Sequence, residues 1–293
     1  MTLKARKILV GLDFTAADDS ILTFLAENIE AFEAAKFSFL HVVEDNVPQE
    51  AKEQLKHEIA GKVSQKIKEK VSLGAHLEIR VEFKEPQQTI RKAIDDEKID
   101  YLVLGNKATD KKEVKPNELV RKPACSIILV PQNYQGKIEK IGVPTDFSDI
   151  SKLAFQDAFD FGEFRKAEIA GFHSYQVPSG YHKSGMDHHQ FAEVMEKHAK
   201  EDAAKYKKEL STPDLSIKYM YQEDKDAAES IAHFVENEKI DMLVLSSKGR
   251  SAAASLVMGS VAAKVIEKVR FIPLLIVKKR EQNMDMIDAL KKV

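Results

Sequence analysis

The chain has 293 residues, which favours two domains because a domain usually has roughly 100–200 residues. With 43% hydrophobic and 31% charged residues and no apolar run of about 18 residues, the composition excludes a disordered chain and a membrane-spanning helix. The 45 basic and 47 acidic residues nearly balance, which gives no electrostatic reason to expect nucleic acid as the main partner. The single cysteine, Cys125, excludes an intrachain disulfide and indicates a buried thiol in a reducing, cytoplasmic setting.

Short apolar runs alternate with longer charged segments along the whole chain. In the first half we predict strands at 7–12, 37–43, 77–83, 101–105 and 126–130. In the second half we predict strands at 140–144, 168–174, 216–221, 242–246 and 274–277. The longest helical segments are predicted at 49–72 and 185–210. Continuous apolar strands alternating with helices predict two α/β domains, each a doubly wound, Rossmann-like parallel sheet with helices on both faces.

An internal repeat relates the two halves. Residues 98–104 (KIDYLVL) recur as 239–245 (KIDMLVL), and residues 12–14 (LDF) recur as 145–147 (TDF). Two further matches, in the same order, join 39–41 to 171–173 and 127–130 to 274–277. Such a series indicates a duplicated domain. We therefore predict domains at 1–134 and 138–280, and a helical tail at 281–293 that packs on the body or, alternatively, docks on a partner.

The second half carries a pattern that suits phosphate binding. Open parallel sheets bind ligands at the carboxyl ends of their strands, so the segments after the first, second and fourth strands are the ones to inspect. The candidates after the first and fourth strands and at the next helix start are Pro144, Thr145, Asp146, Ser246, Lys248, Gly249, Gly259, Ser260 and Val261. Glycine lets the backbone approach a ligand or take a positive φ, and free N–H groups at a helix start attract anions. Asp146 can accept hydrogen bonds from ribose hydroxyls, or alternatively cap the following helix.

At these residues the chain resembles the universal stress protein family, whose signature is a glycine, two residues, a glycine, nine residues, and then glycine with serine or threonine. Gly249 and the pair Gly259-Ser260 match the later part, whereas Ser246 replaces the first glycine. A serine there is costly if the position needs a positive φ, and tolerable if it needs only a small side chain.

The resemblance implies a five-stranded parallel sheet of order 3-2-1-4-5 in each half. It also implies that Thr145, Asp146 and Ser174 surround the adenosine of ATP. The triphosphate, with magnesium where it binds, would be held by Ser246, Lys248, Gly249, Gly259, Ser260 and Val261. Because family members commonly dimerise, the resemblance implies that the duplicated chain is the equivalent of a fused dimer. Two such chains are expected to pair to a homodimer.

The first half lacks this phosphate loop. The offset between the two copies grows from 141 residues at the fourth strands to 147 at the fifth, so the first copy is six residues shorter between them. No Gly-Ser pair occurs there, and Glu113 falls near the place of Ser260, where a carboxylate would repel phosphate. We expect a structural or regulatory role for this half.

Other candidate chemistry is sparse. The histidines at 182, 188, 189 and 198 are a candidate metal cluster, but solvated side chains are the favoured alternative because zinc needs three or four converging ligands. No catalytic motif is found, so we expect no catalytic residue and no metal site. The sequence thus predicts an ATP-binding stress-response protein with unidentified protein partners. The alternatives are a nucleotide-independent scaffold with vestigial sites and a slow ATPase.

Overall fold

The computed structural model describes residues 6–32, 36–44, 46–70, 77–106, 125–222, 226–248 and 258–278. The residue contacts divide the chain into two compact units. One comprises Met1–Lys137 with Arg270–Leu275, and the other comprises Ile138–Val269 with Ile276–Val293. The main division therefore falls beside the polar segment that separates the two copies of the repeat.

The first copy of the repeat forms a parallel sheet. Its strands are β1 (Lys7–Leu12), β2 (Lys36–Val43), β3 (Leu77–Phe83), β4 (Tyr101–Asn106) and β5 (Ser126–Pro131). The α-helices among its described residues are α1 (Ala17–Asn28), α2 (Gln49–Lys70) and α3 (Pro86–Glu97). The strand order is β3-β2-β1-β4-β5 with parallel neighbours, which confirms the predicted winding of this half.

The second copy repeats the same architecture. Its strands are β6 (Lys140–Pro144), β7 (Glu168–Tyr175), β8 (Ser216–Tyr221), β9 (Met242–Ser246) and β10 (Leu274–Val277). Its described α-helices are α4 (Asp149–Arg165), α5 (His188–Glu209), α6 (Ala227–Asn237) and α7 (Ser260–Lys268). The order β8-β7-β6-β9-β10 is again the predicted one, and β6 runs parallel to both β7 and β9. The order reverses between β6 and β9, and such a switch point opens a crevice at the carboxyl ends of the strands.

Apolar strands and aromatic side chains build the core of the second unit. Leu243 and Val244 of β9 are fully buried, as expected for a strand covered on both faces. Phe172 of β7 stacks on Phe234 of α6 with 4.7 Å between ring centroids, and both side chains are buried. This contact fixes helix α6 against the sheet, next to the carboxyl ends of the strands.

Polar caps set where the helices of the second unit begin. The Ser148 side chain accepts a hydrogen bond from the Ser151 N–H at the start of α4, and the Asp226 side chain accepts one from the Glu229 N–H at the start of α6. Asp187 and Gln190 form a reciprocal capping box at the start of α5. None of the described helices combines the length and the apolar character needed to cross a membrane.

Three sequence predictions concern residues outside the described ranges. These are the helical tail at 281–293, Glu113 in the shortened loop of the first half, and Gly249 in the proposed phosphate loop.

Candidate functional site

A cleft of about 460 Å³ opens at the carboxyl ends of β6, β7, β8 and β9 and at the start of α7. The predicted residues that line it are Pro144, Thr145, Asp146, Ser174, Ser246, Lys248, Gly259, Ser260 and Val261. The fold thus brings together every predicted site residue except Gly249, which lies outside the described part of the chain. A volume of this size falls within the range of small-molecule pockets.

The turn after β6 presents Thr145 and Asp146 to the cleft in a constrained conformation. Phe147, the next residue, has a left-handed backbone with φ of 61°, which is a rare and costly conformation for a bulky side chain. Its N–H donates to Thr145 Oγ1 at 2.9 Å, and its ring stacks on His173 with 4.3 Å between centroids. These contacts hold a turn that an isolated peptide would rarely adopt.

A buried chain of hydroxyl groups supports this turn from behind. Ser151 Oγ donates to the Ser148 carbonyl at 2.7 Å, so its one proton is committed. It therefore accepts from Tyr206 OH at 2.7 Å and from Thr145 Oγ1 at 3.0 Å. Every hydroxyl in the chain is satisfied, and burial raises the pKa of Tyr206 well above its ordinary value. The hydroxyl of Tyr206, on α5, thus fixes the turn that carries Asp146.

Asp146 has both a structural contact and a place in the cleft. Its Oδ1 accepts a hydrogen bond from the Ser148 N–H at 3.1 Å, which forms an Asx-type turn. Helix α4 is capped by Ser148 and not by Asp146, so the alternative capping role is not the observed one. Beside it, His173 Nδ1 lies 2.8 Å from the Thr145 carbonyl; because a carbonyl only accepts, Nδ1 carries the proton. His173 thus serves both packing, on Phe147, and hydrogen bonding, and its ring also lines the cleft.

Hydrogen bonds join the end of β9 to the residue that precedes α7. The Ser247 N–H donates to the Val277 carbonyl at 2.9 Å, and the Ser247 carbonyl accepts from the Gly259 N–H at 2.8 Å. Ser246 Oγ donates to the Lys248 carbonyl at 2.9 Å. The non-glycine residues with positive φ in the described chain do not include Ser246. Serine therefore causes no left-handed strain at the position where the family signature has glycine.

Gly259 is the N-cap of α7, and the helix begins at Ser260, one residue before the predicted start. Its φ is −65°, so a positive φ is not the reason for glycine here. As a glycine, the N-cap residue has no side chain that could cap this helix end. The N–H groups of Ser260, Val261 and Ala262 have no acceptor inside the helix, because the first turn has no preceding carbonyls. Together with the helix dipole they make this end of the cleft attractive to an anion.

Nine further lining residues were not predicted as site residues. They are Phe172, His173, Gln176, Gln222, Ala227, Ile231, Leu245, Ser247 and Ala262. Gln222 directly follows β8 and is only 5% exposed. Its place at the end of a parallel strand was the signal that could have found it, since every such end points to the same edge of the sheet.

The candidate metal cluster of histidines is not formed among the described residues. No group of three or more histidine, cysteine or carboxylate side chains there is arranged to hold a metal ion. His188 Nε2 instead lies 2.7 Å from Tyr221 OH, and His189 Nδ1 lies 3.5 Å from Glu193.

The matching turn of the first unit has different chemistry. Phe14 again has a left-handed backbone, with φ of 60°, and packs on His41 with 4.5 Å between ring centroids. Asp18 replaces Ser151, and its carboxylate accepts from the N–H groups of Asp13 and Phe14 at 3.1 and 2.9 Å. Burial, and secondarily the charge of Asp13, raises the pKa of Asp18 above the ordinary carboxyl value, while backbone hydrogen bonds and Lys66 oppose the rise. Two carboxylates therefore stand where the second unit has one.

The fold and the position of the cleft define the class of protein: a tandem pair of doubly wound α/β domains with a crevice at the switch point of the second sheet. The family model described as "Universal stress protein family" matches residues 4–130 and 137–278, so the chain belongs to the universal stress protein family as a tandem member.

Individual relatives agree with this assignment. A universal stress protein of Methanocaldococcus jannaschii is 29% identical over 154 residues, which cover 52% of this chain and 89% of that protein. The solved structure of a universal stress protein from Archaeoglobus fulgidus matches with a TM-score of 0.62 and 15% identity, covering 94% of this chain and 99% of that one. A Pseudomonas aeruginosa protein of unknown function matches with a TM-score of 0.65 and 14% identity, covering 99% and 98%. At these identities the two structures support the fold alone.

Proposed function

We propose that this tandem universal stress protein binds ATP in the cleft of its second unit and that the bound nucleotide acts as a conformational signal in a stress response. The observation that carries the proposal is the convergence of nine residues predicted from the sequence in one cleft at the switch point. They come from the ends of three strands, β6, β7 and β9, and from the start of α7, which are separated in sequence. The uncapped start of α7 supplies N–H donors for phosphate, and Asp146 supplies a carboxylate for ribose hydroxyls.

The departure from the family signature does not argue against this function. A serine at 246 would count against ATP if it forced a left-handed backbone, but its φ is not positive. Its hydroxyl instead donates to the Lys248 carbonyl, which orders the beginning of the proposed phosphate loop. Magnesium would accompany the triphosphate. A strained serine at 246 would have favoured the alternative of a scaffold with a vestigial site. The unstrained backbone of Ser246 removes that argument.

The first unit is proposed to bind no nucleotide. Its sequence has no Gly-Ser pair between the fourth and fifth strands, and the buried carboxyl of Asp18, at the start of α1, stands behind the Asp13 turn where the second unit has the hydroxyl of Ser151. A single site per chain follows. We further propose domains at 1–134 and 138–280 and a helical tail at 281–293. The two domains would form an internal pseudo-dimer, and the chain would pair to a homodimer in the cytoplasm.

Calorimetric titration of nucleotide-stripped protein with ATP and magnesium tests the proposal. We expect one site per chain and a matching rise in the thermal midpoint of the second unit, because a ligand that binds only the folded state stabilises it. No heat of binding at any temperature, together with an unchanged midpoint, would favour a nucleotide-independent scaffold. Two equivalent sites would contradict the assigned asymmetry.

A further inference from the structure

A second cavity of the second unit lies apart from the cleft. It is a groove of about 570 Å³ between the C-terminal half of α5 and strand β8, called here the α5 groove. Ala203 of α5 and Tyr219 of β8 give it apolar surface, and Lys200, Lys207 and Lys208 line it as well. None of its described lining residues is acidic, and none of them lines the cleft. The α5 groove is therefore a separate, positively charged surface.

Two of the three lysines carry an uncompensated charge. Lys200 Nζ pairs with Glu196 at 2.6 Å, which neutralises that part of the α5 groove. Lys207 and Lys208 make no ion pair or side-chain hydrogen bond with the rest of the chain. Two neighbouring positive charges without a partner favour an anionic ligand.

These two lysines are not needed to complete the end of helix α5. The Ser211 N–H donates to the Lys208 carbonyl at 3.1 Å, and the Thr212 N–H donates to the Lys207 carbonyl at 3.0 Å. Such backbone bonds satisfy carbonyls that the last turn of a helix would otherwise leave open. The two ammonium groups therefore remain available to a ligand.

Strand β8 brings an open sheet edge to the same place. Among the described strands, β7 is the one that pairs with β8, which ends the sheet. The Gln222 N–H donates to the Tyr175 carbonyl of β7 at 2.8 Å. Because the backbone groups of successive strand residues point to opposite sides, the N–H and C=O of Tyr219 and Tyr221 point away from β7, to the open edge. Tyr219 thus belongs both to this edge and to the α5 groove.

We propose that the open edge of β8 and the α5 groove together bind an acidic segment of another protein in an extended conformation. The backbone of the segment pairs with the N–H and C=O of Tyr219, which is the strand addition seen at exposed sheet edges. Its carboxylates on the α5 side meet Lys207 and Lys208. A second copy of this chain, paired through the same edge, would instead bring like charges together, so charge selects the acidic partner.

The test uses fluorescence anisotropy on the full chain with a fluorescein-labelled peptide of alternating glutamate and valine, about eight residues long, the length of an ordinary strand. We expect saturable binding at low ionic strength, and no binding of the corresponding peptide of alternating lysine and valine. The variant Lys207→Gln/Lys208→Gln should bind the acidic peptide about threefold to tenfold more weakly, the effect of two exposed ion pairs. Lys197→Gln/Lys205→Gln is the matched control, since it removes two charges from α5 that do not line the groove.

Two N-methylated forms of the peptide test the strand addition on wild-type protein. One carries the methyl groups on the glutamate nitrogens and the other on the valine nitrogens. Alternate residues of an added strand turn their N–H groups to β8, so one form should lose at least about tenfold in affinity and the other should keep most of it. Equal affinities of the two forms would exclude strand addition and overturn the proposal.

Other outcomes decide against the proposal in different ways. Absence of saturable binding to wild-type protein, or equal affinity in Lys207→Gln/Lys208→Gln and in its control, overturns it. If oligothymidylate of equal charge binds as tightly and depends on the same lysines, the α5 groove is a general polyanion site. If free glutamate displaces the peptide at the concentration of the peptide itself, the site takes a small anion and the peptide assignment is wrong. If the lysine variant does not fold, the lysine peptide and the two N-methylated forms still decide on wild-type protein.

Discussion

Replacing Gly259 by aspartate separates the fold of the second unit from its proposed ligand. A Cβ added at Gly259 would lie 3.4 Å from the Ser247 carbonyl oxygen and 3.7 Å from Lys248 Cα, which are ordinary contacts. The backbone, with φ −65° and ψ 149°, suits any L-residue. Aspartate is also a better N-cap than glycine, which has no side chain to cap α7. The free energy of unfolding should therefore stay constant or rise by a few tenths of a kcal/mol.

The effect on ATP should be large and opposite in sign. A carboxylate about 4 Å from a phosphate charge repels it by about 4 kcal/mol at an effective dielectric constant of about 20. It also accepts hydrogen bonds from the helix N–H groups that the phosphate would use. We expect ATP affinity to fall by at least about a hundredfold in Gly259→Asp, since each factor of ten corresponds to about 1.4 kcal/mol.

Gly259→Asn is the matched control because asparagine has nearly the same size and capping ability without the charge. Calorimetric affinity and urea unfolding should be measured on both variants. The aspartate variant should bind ATP at least about a hundredfold more weakly than the asparagine variant, because the repulsion of about 4 kcal/mol comes from the charge alone. Equal affinities in wild type and both variants would refute the placement of phosphate at α7, and a loss of folding in both would refute the steric argument.

Three further results follow from the same contacts. Tyr206→Phe removes the hydroxyl that donates to Ser151, so urea unfolding should show a loss of about 1 kcal/mol, and ATP should bind more weakly because the Asp146 turn loosens. Ser246→Gly restores the family glycine but should not tighten ATP binding in a filter assay, since no positive φ is relieved; a clear gain would contradict this reasoning. The free energy of unfolding of the wild-type protein, measured relative to Asp18→Asn, should fall as the pH rises above the ordinary carboxyl pKa. The reason is that the raised pKa of Asp18 keeps its proton bound in the folded state at pH values where the unfolded state has lost it. A difference in free energy between the two proteins that stays constant from about pH 4 to pH 7 would contradict this reasoning.

The repeat and the strand pattern predicted most of the fold. Each predicted strand end lies within one residue of the observed one, because a strand buried on both faces of a parallel sheet is a short apolar run whose ends are marked by charged segments. The rule that open parallel sheets bind ligands at the carboxyl ends of their strands then indicated where the cleft lies. Neither step required knowledge of side-chain contacts.

The finer features of the site depend on contacts between distant residues, which a sequence does not display. Tyr206 reaches the Thr145 turn from 55 residues beyond Ser151 through a hydroxyl chain that no local pattern reveals. Gln222 belongs to the cleft because β8 lies beside β7, whereas the sequence pattern directs attention to the ends of the first, second and fourth strands. The sequence offers two reasons for glycine at 259, which are close approach of the backbone to a ligand and a positive φ. The observed φ of −65° excludes the second reason and is compatible with the first.

The central claim is that one ATP molecule lies along the cleft of the second unit. A crystal structure of the full chain grown with a non-hydrolysable ATP analogue and magnesium tests it most directly. The account predicts phosphate density at the N–H groups of Ser260 and Val261, ribose density beside Asp146, and no nucleotide at Asp13 of the first unit. Nucleotide bound at the first unit, or a cleft that stays empty in crystals grown at saturating analogue, would contradict it.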